Sequence, residues 1–184
     1  TNGGIDWELT LQDVSGDTDC QSRFVESPWD ENTVYVNIAG IFASRDRGHT
    51  WIPTGQLTSS AFYVHPSDSN YLYSASNNQS FFRSTDRGKT WAFSSTGIPF
   101  YYQVASNYRY DDLICANRLN PQTIWMACCR SMYSKDGYLS VLLRSDDYGA
   151  TWRVLPDIPG EDIIRLSASR HVPDRLFAIV SGSG

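Results

Sequence analysis

The sequence is sparing in methionine, with 2, and in cysteine, with 4, among 184 residues. Its apolar runs, such as Val141-Leu142-Leu143 and Ile163-Ile164, fall far short of the roughly 18 to 20 residues a helix needs to cross a bilayer, so no membrane span is expected. It has no surplus of positive charge: 15 basic side chains face 20 acidic ones, for a formal charge of −5, and no basic stripe is present. That argues against a protein that grips a phosphate backbone, and no nucleic-acid partner is expected. There is no initiator Met, no charged leader before an apolar stretch and no sorting tail. The chain is therefore expected to be a piece of a longer protein. What it does have is aromatic surface: 14% of residues, with 6 Trp and 11 Tyr, types that fit pleated sheets and contact faces. With 41% hydrophobic and 19% charged residues it has the composition of a folded globular protein, and its aromatic bias leans toward β.

Self-similarity organises the rest. Ser44-Arg45-Asp46-Arg47-Gly48-His49-Thr50-Trp51, Ser84-Thr85-Asp86-Arg87-Gly88-Lys89-Thr90-Trp91 and Ser145-Asp146-Asp147-Tyr148-Gly149-Ala150-Thr151-Trp152 share the pattern S-x-D-x-G-x-T-W, with a truncated copy from Asn2 to Trp7. The pattern reads as a hairpin turn. The Ser and Asp side chains accept backbone N–H groups, and Gly supplies a positive φ. Thr and Trp then open the next strand, and the indole buries against a neighbouring layer for about 1.5 to 3 kcal/mol.

Each copy follows short β-branched and aromatic runs punctuated by Pro, Asn and Asp, at 23–26, 33–38 and 41–44, then 61–64, 71–75 and 81–83, then 113–116, 123–127 and 141–144. Runs at 163–168 and 176–180 begin a further unit. A four-stranded antiparallel unit of about 40 to 45 residues is the sign of a β-propeller blade. The expected division is one all-β propeller segment over 1–184: the end of a blade at 1–12, blades at 20–56, 60–96 and 111–156, and the start of another at 162–184.

The repeated motif resembles the Asp-box, or BNR, repeat, which sialidases, xyloglucanases, sortilin-type (Vps10) receptors and photosystem assembly factors carry on the hairpin between the third and outer strands of each blade. The resemblance implies a β-propeller and leaves function open, because the same scaffold hosts several activities.

The repeat is interrupted in the third blade. The aspartate spacing is 44 residues from Asn2 to Asp46, 40 to Asp86 and 61 to Asp147. The added residues lie at 95–112 and 130–139, two connections expected on one face of the propeller near its channel. Phe100, Tyr101, Tyr102, Tyr108, Arg109, Tyr110, Arg130 and Tyr133 are the candidate ligand contacts there, because aromatic planes beside guanidinium groups stack on and fix a sugar ring or peptide side chain. The competing reading is that these aromatics cover the channel or pack on an adjacent blade.

A glycoside hydrolase needs two carboxylates across the scissile bond. Asp13, Asp17, Asp19, Asp111, Asp112, Asp136, Glu161 and Asp162 are available, and the sequence does not pair them. For a sialidase, Arg23, Arg109, Arg118 and Arg165 stand ready to meet a substrate carboxylate, but the Arg-Ile-Pro element that family carries is missing. Asp46, Asp86 and Asp147 sit in separate hairpins and are read as structural, without the dense oxygen spacing of a calcium loop. His49, His65 and His171 lie in turns of different blades without ligand spacing and are expected at the surface. No cofactor or metal is expected.

Folding the 113–127 hairpin is expected to bring Cys115 near Cys128 and Cys129 for one cross-strand disulfide, with reduced thiols as the alternative and Cys20 ahead of the first blade. The sequon Asn78-Gln79-Ser80 marks Asn78 for N-glycosylation. Both features suit a secreted or luminal protein. The expectation is an extracellular or luminal module that binds a protein or glycan ligand and is completed by further blades from the same chain or another subunit. A xyloglucanase-like hydrolase fragment is the rival, and a photosystem-assembly propeller the lesser one.

Overall fold

The computed structural model describes residues 6–12, 23–38, 40–57, 61–75, 81–99, 102–103, 113–130, 140–156 and 163–180. Among the described residues every regular element is a strand. The first sheet is β1 (Arg23–Glu26), β2 (Val34–Asn37), β3 (Gly40–Ser44) and β4 (Ile52–Leu57), paired in chain order. The second repeats that order with β5 (Ala61–Val64), β6 (Leu72–Ala75), β7 (Phe81–Ser84) and β8 (Ala92–Phe93). The third is β10 (Ile114–Ala116), β11 (Ile124–Arg130), β12 (Ser140–Ser145) and β13 (Arg153–Val154), with β9 (Tyr102–Gln103) also pairing β11. A last hairpin joins β14 (Ile163–Ala168) to β15 (Leu176–Val180). Every pairing within these sheets is antiparallel.

The turn between the first two strands of each sheet closes the same way. Ser27 N–H donates to Thr33 O (3.0 Å), His65 N–H to Tyr71 O (3.1 Å) and Asn117 N–H to Thr123 O (3.1 Å). Asp30 and Asp68 then accept the backbone N–H two residues on, at 3.0 and 2.9 Å, the Asx turn that their side chains favour.

Sheets bury both faces because side chains alternate along each strand. In β11, Ile124, Met126 and Cys128 turn toward the second sheet and pack with Tyr73, Ala75 and Phe81, whereas Trp125 and Ala127 turn the other way and pack with Ile163 and Leu166. Tyr35, Ile41 and Ala43 likewise meet Phe62, Val64 and Leu72. The core is thus a series of layers between successive blades, as the repeat predicted. Beyond the last hairpin the layering stops, and Phe177 (57%) and Ile179 (56%) face outward.

The structure corrects several expectations. The box tryptophans close the turn instead of opening the strand, since the outer strands begin one residue later at Ile52 and Ala92 and at Arg153. Residues 6–12 form no strand; Thr10 Oγ1 instead accepts the Trp51 indole N–H at 3.2 Å. The expected disulfide from Cys115 fails on register. Cys115 lies opposite Trp125, so Cys128 and Cys129 are three and four residues further along β11, roughly 10 and 13 Å at strand rise and beyond the about 7 Å Cα separation a disulfide allows. Cys115 and Cys128 are also buried in opposite layers. Cys20 lies outside the described residues.

Candidate functional site

The three box hairpins are built alike. Ser44, Ser84 and Ser145 each donate their hydroxyl to the box Asp at 2.8, 2.8 and 2.7 Å, and accept the N–H of Gly48, Gly88 and Gly149 at 2.8 Å. The Asp carboxylate accepts the Thr N–H at 2.8 Å and the Thr hydroxyl at 2.6 Å in all three copies. Its oxygens are engaged by the hairpin itself, which is the structural role the sequence pointed to. Hydrogen bonds from the Thr50 hydroxyl and amide hold Asp46 down at a pKa of about 2. Partial burial pushes Asp86 the other way, yet the Thr90 hydroxyl and amide outweigh it and leave a pKa of about 2. The glycine φ is positive, as expected, at 89°, 80° and 77°. So is that of the residue before it, Arg47, Arg87 and Tyr148, at 60°, 62° and 56°, a strained choice that no sequence signal marked.

The second and third boxes also lock their blades to the one before. Tyr35 Oη donates to Arg87 O (3.4 Å) and Tyr73 Oη to Tyr148 O (3.3 Å). Ser94 Oγ donates to Gly149 O (2.6 Å), and the Trp152 indole N–H reaches back to Ser94 O (3.1 Å). Trp152 is buried at 5% exposure, while Trp51 and Trp91 are half-buried.

His65, expected at the surface, is fully buried at this same seam. Its Nε2 lies 2.8 Å from Pro121 O in the next blade, and its Nδ1 accepts Ser67 N–H at 3.1 Å. The neutral ring, donating from Nε2, satisfies both contacts, and burial lowers its pKa below the ordinary value. His49 and His171 are exposed.

The two ends of the blades differ in what they carry. The box hairpins share one rim with the first-to-second-strand turns, to which they bond through Arg47 N–H to Asn32 O, Arg87 N–H to Asn70 O and Tyr148 N–H to Gln122 O. At the opposite rim β11 ends and β12 begins, and there β9 pairs with the last residues of β11, Tyr102 opposite Arg130 and Gln103 opposite Cys129. Tyr102, expected as a ligand contact, is instead a core residue at 3% exposure. Phe100, Tyr101, Tyr108, Arg109, Tyr110, Tyr133 and the sequon Asn78 lie outside the described residues, as do the eight candidate acids Asp13, Asp17, Asp19, Asp111, Asp112, Asp136, Glu161 and Asp162. Among the described residues no group of three or more His, Cys, Asp or Glu side chains is placed to hold a metal ion.

A cleft of about 390 Å³ opens between the inner strands β5, β10 and β14, toward the box rim. Arg118, Arg165 and Arg170 edge it, beside Tyr63, Leu166 and Ser167. Of the arginines that the sequence offers for an anionic substrate, the structure brings Arg118 and Arg165 together; Arg170 carries no sequence signal, because only the fold sets its turn beside the cleft.

The family model of the BNR/Asp-box repeat matches residues 82–93, the second box with its flanking strands. The chain has the β-propeller fold and carries the Asp-box repeat. Two curated relatives of this propeller segment carry the name vacuolar protein sorting/targeting protein 10. The one from Paracoccidioides lutzii is 27% identical over 77% of the chain and 10% of its own length. The one from Sordaria macrospora is 47% identical over 26% of the chain and 3% of its own length. Among solved structures, the propeller segment resembles the GH74 enzyme of Niastella koreensis (20% identity, TM-score 0.57, 88% of this chain and 22% of that one). It also resembles the GH74 xyloglucanase of Xanthomonas campestris (19% identity, TM-score 0.53, 70% and 20%). At such identities the structural likeness speaks for the propeller fold alone. The segment spans about a tenth or less of the length of the sorting proteins it matches.

Proposed function

We propose that this segment belongs to a ligand-binding propeller of the Vps10 (sortilin) type, working in the secretory-pathway lumen or outside the cell, and that it takes protein or glycan ligands at the rim opposite the Asp-boxes. The observation that carries the reading is the β9–β11 pairing: by joining Tyr102 to Arg130 it brings the roots of both aromatic-rich stretches, 104–112 and 131–139, to one rim. Phe100, Tyr101, Tyr108, Arg109, Tyr110, Arg130 and Tyr133 are the contacts in this reading, with Tyr102 acting as the buried foot of the platform. The two relatives named for vacuolar sorting and targeting support a luminal module, and glycosylation at Asn78 fits that compartment. Further blades complete the ring, because the β15 edge and its outward Phe177 and Ile179 need cover.

The test is capture of a peptide panel and a glycan array by the intact protein, compared with a Tyr108→Ala, Tyr110→Ala, Tyr133→Ala variant. Loss of capture at unchanged melting temperature is the expected result. Release of reducing sugar from β-glucans, abolished by replacing one of the eight acids, would replace this reading with a glycoside hydrolase.

A further inference from the structure

At the other rim, we infer that the Arg-edged cleft is a second binding site, for an acidic peptide segment. The chain carries a formal charge of −5, yet the described residues lining this cleft include three arginines and no carboxylate. Elsewhere the fold ties guanidinium groups down: Arg144 bonds Asp146 at 2.7 Å and Asp174 at 2.9 Å, and Arg47 bonds Glu31. Arg118 and Arg170 are exposed and form no ion pair with any described residue. Two unneutralised forks on adjacent blades, with Arg165 beside them, set a local positive field in an acidic protein. Such forks match carboxylates in two-point geometry.

The remainder of the lining decides between classes of anion. The exposed lining is more polar than apolar: Ser167 and Ser169 stand beside half-buried Pro66 and Ala168, and the ring of Tyr63 is fixed by its hydroxyl accepting Ala116 N–H at 3.2 Å. A cleft of about 390 Å³ with a cationic edge, serine hydroxyls and a small apolar wall of Tyr63, Pro66 and Ala168 suits a short stretch of peptide in which acidic and aliphatic side chains are interspersed. A sulfated glycan, with no aliphatic side chains to bury, is served better by an open basic surface.

The experiment measures binding of a fluorescent peptide, acetyl-Leu-Glu-Glu-Leu-Glu-amide, to the intact protein, against the same peptide with every Glu replaced by Gln. The glutamate peptide is expected to bind at least tenfold more tightly, with the advantage shrinking as salt is raised. Arg118→Gln with Arg170→Gln removes that advantage at unchanged melting temperature, and Arg170→Gln alone reduces it. The doubly Lys-substituted variant falls between, because an ammonium keeps the charge and loses the fork. Equal affinity for the two peptides, or an undiminished preference in the double Gln variant, overturns the proposal. So does a sulfated oligosaccharide that binds more tightly with the same arginine dependence, which assigns the cleft to a glycan. The readout lies at the opposite rim from the aromatic stretches, so its failure leaves the loop-rim reading standing.

Discussion

At the Asp-box rim, corresponding hydrogen bonds recur in three sequence contexts to within 0.1 Å, whether the neighbours are Arg and His, Thr and Lys, or Asp and Ala. At the other rim, the second-to-third-strand connections are residues 38–39, 76–80 and 131–139, of three different lengths. The difference follows from where each end draws its geometry. A box hairpin is closed by its own Ser, Asp and Thr, so its shape is independent of the blade it sits on. Nothing in that closure depends on the far connections, and they are free to lengthen and carry contacts.

The sharpest way to break this contrast is at a joint between blades. Gly97, at φ +88°, follows the outer strand of the second blade; a Cβ there would sit 2.0 Å from Trp152 O. Neighbouring Thr96 accepts the Trp152 N–H at 2.9 Å. Gly97→Ala is expected to destabilise by roughly 3 kcal/mol or more in urea unfolding, since backbone would have to move and the residue keep a left-handed φ. Next comes the box itself. Ser145→Ala strands the buried Gly149 N–H and should cost about 1 to 3 kcal/mol, whereas Ser44→Ala should cost less, because Gly48 N–H is only half-buried and water can reach it. Equal losses would mean that packing around the hairpin, and not the hydroxyl, sets its stability.

A smaller effect is expected from pH. His65 is held neutral, with its folded pKa depressed by burial. Its contribution is complete above the unfolded value of about 6.5 and is lost as pH falls from there through the folded value. Urea midpoints at pH 7.5 and 5.5 should therefore diverge in the wild type and converge in His65→Gln. The least effect belongs to Thr50→Ala: Asp46 should titrate above its present pKa of about 2 in an NMR pH series. Stability from that carboxylate is present above the ordinary carboxylate value of 3.8 and fades as pH drops toward 2, so the variant should change only the acid limb.

Much of this was readable from residues alone, for physical reasons. The inner three strands of each blade were marked by aromatic and β-branched runs, and β1, β5, β14 and β15 fall where those runs do. The outer strands were not marked: Ala92–Phe93 and Arg153–Val154 are two residues long and exposed, so neither periodicity nor apolar content distinguishes them. β9 was hidden inside an apparent insertion, since a two-residue strand is defined by its partner. His65 reads as a turn residue because its burial depends on Tyr148 and Pro121 of the next blade, which sequence separates widely from it. The arginine cleft is half visible in the sequence, through Arg118 and Arg165, but the meeting of its three guanidinium groups depends on three inner strands converging.

The phenol contacts between blades have a directional consequence. Tyr35 and Tyr73 each clasp the turn of their successor, but the corresponding position in the third blade is Trp125, buried beneath the Arg144 guanidinium, 5.5 Å from the ring centroid, and that Arg reaches forward to Asp174 instead. The couplings along the chain are keyed to their neighbours. Blades transplanted or shuffled between positions would keep their individual hairpins and still fail to mate.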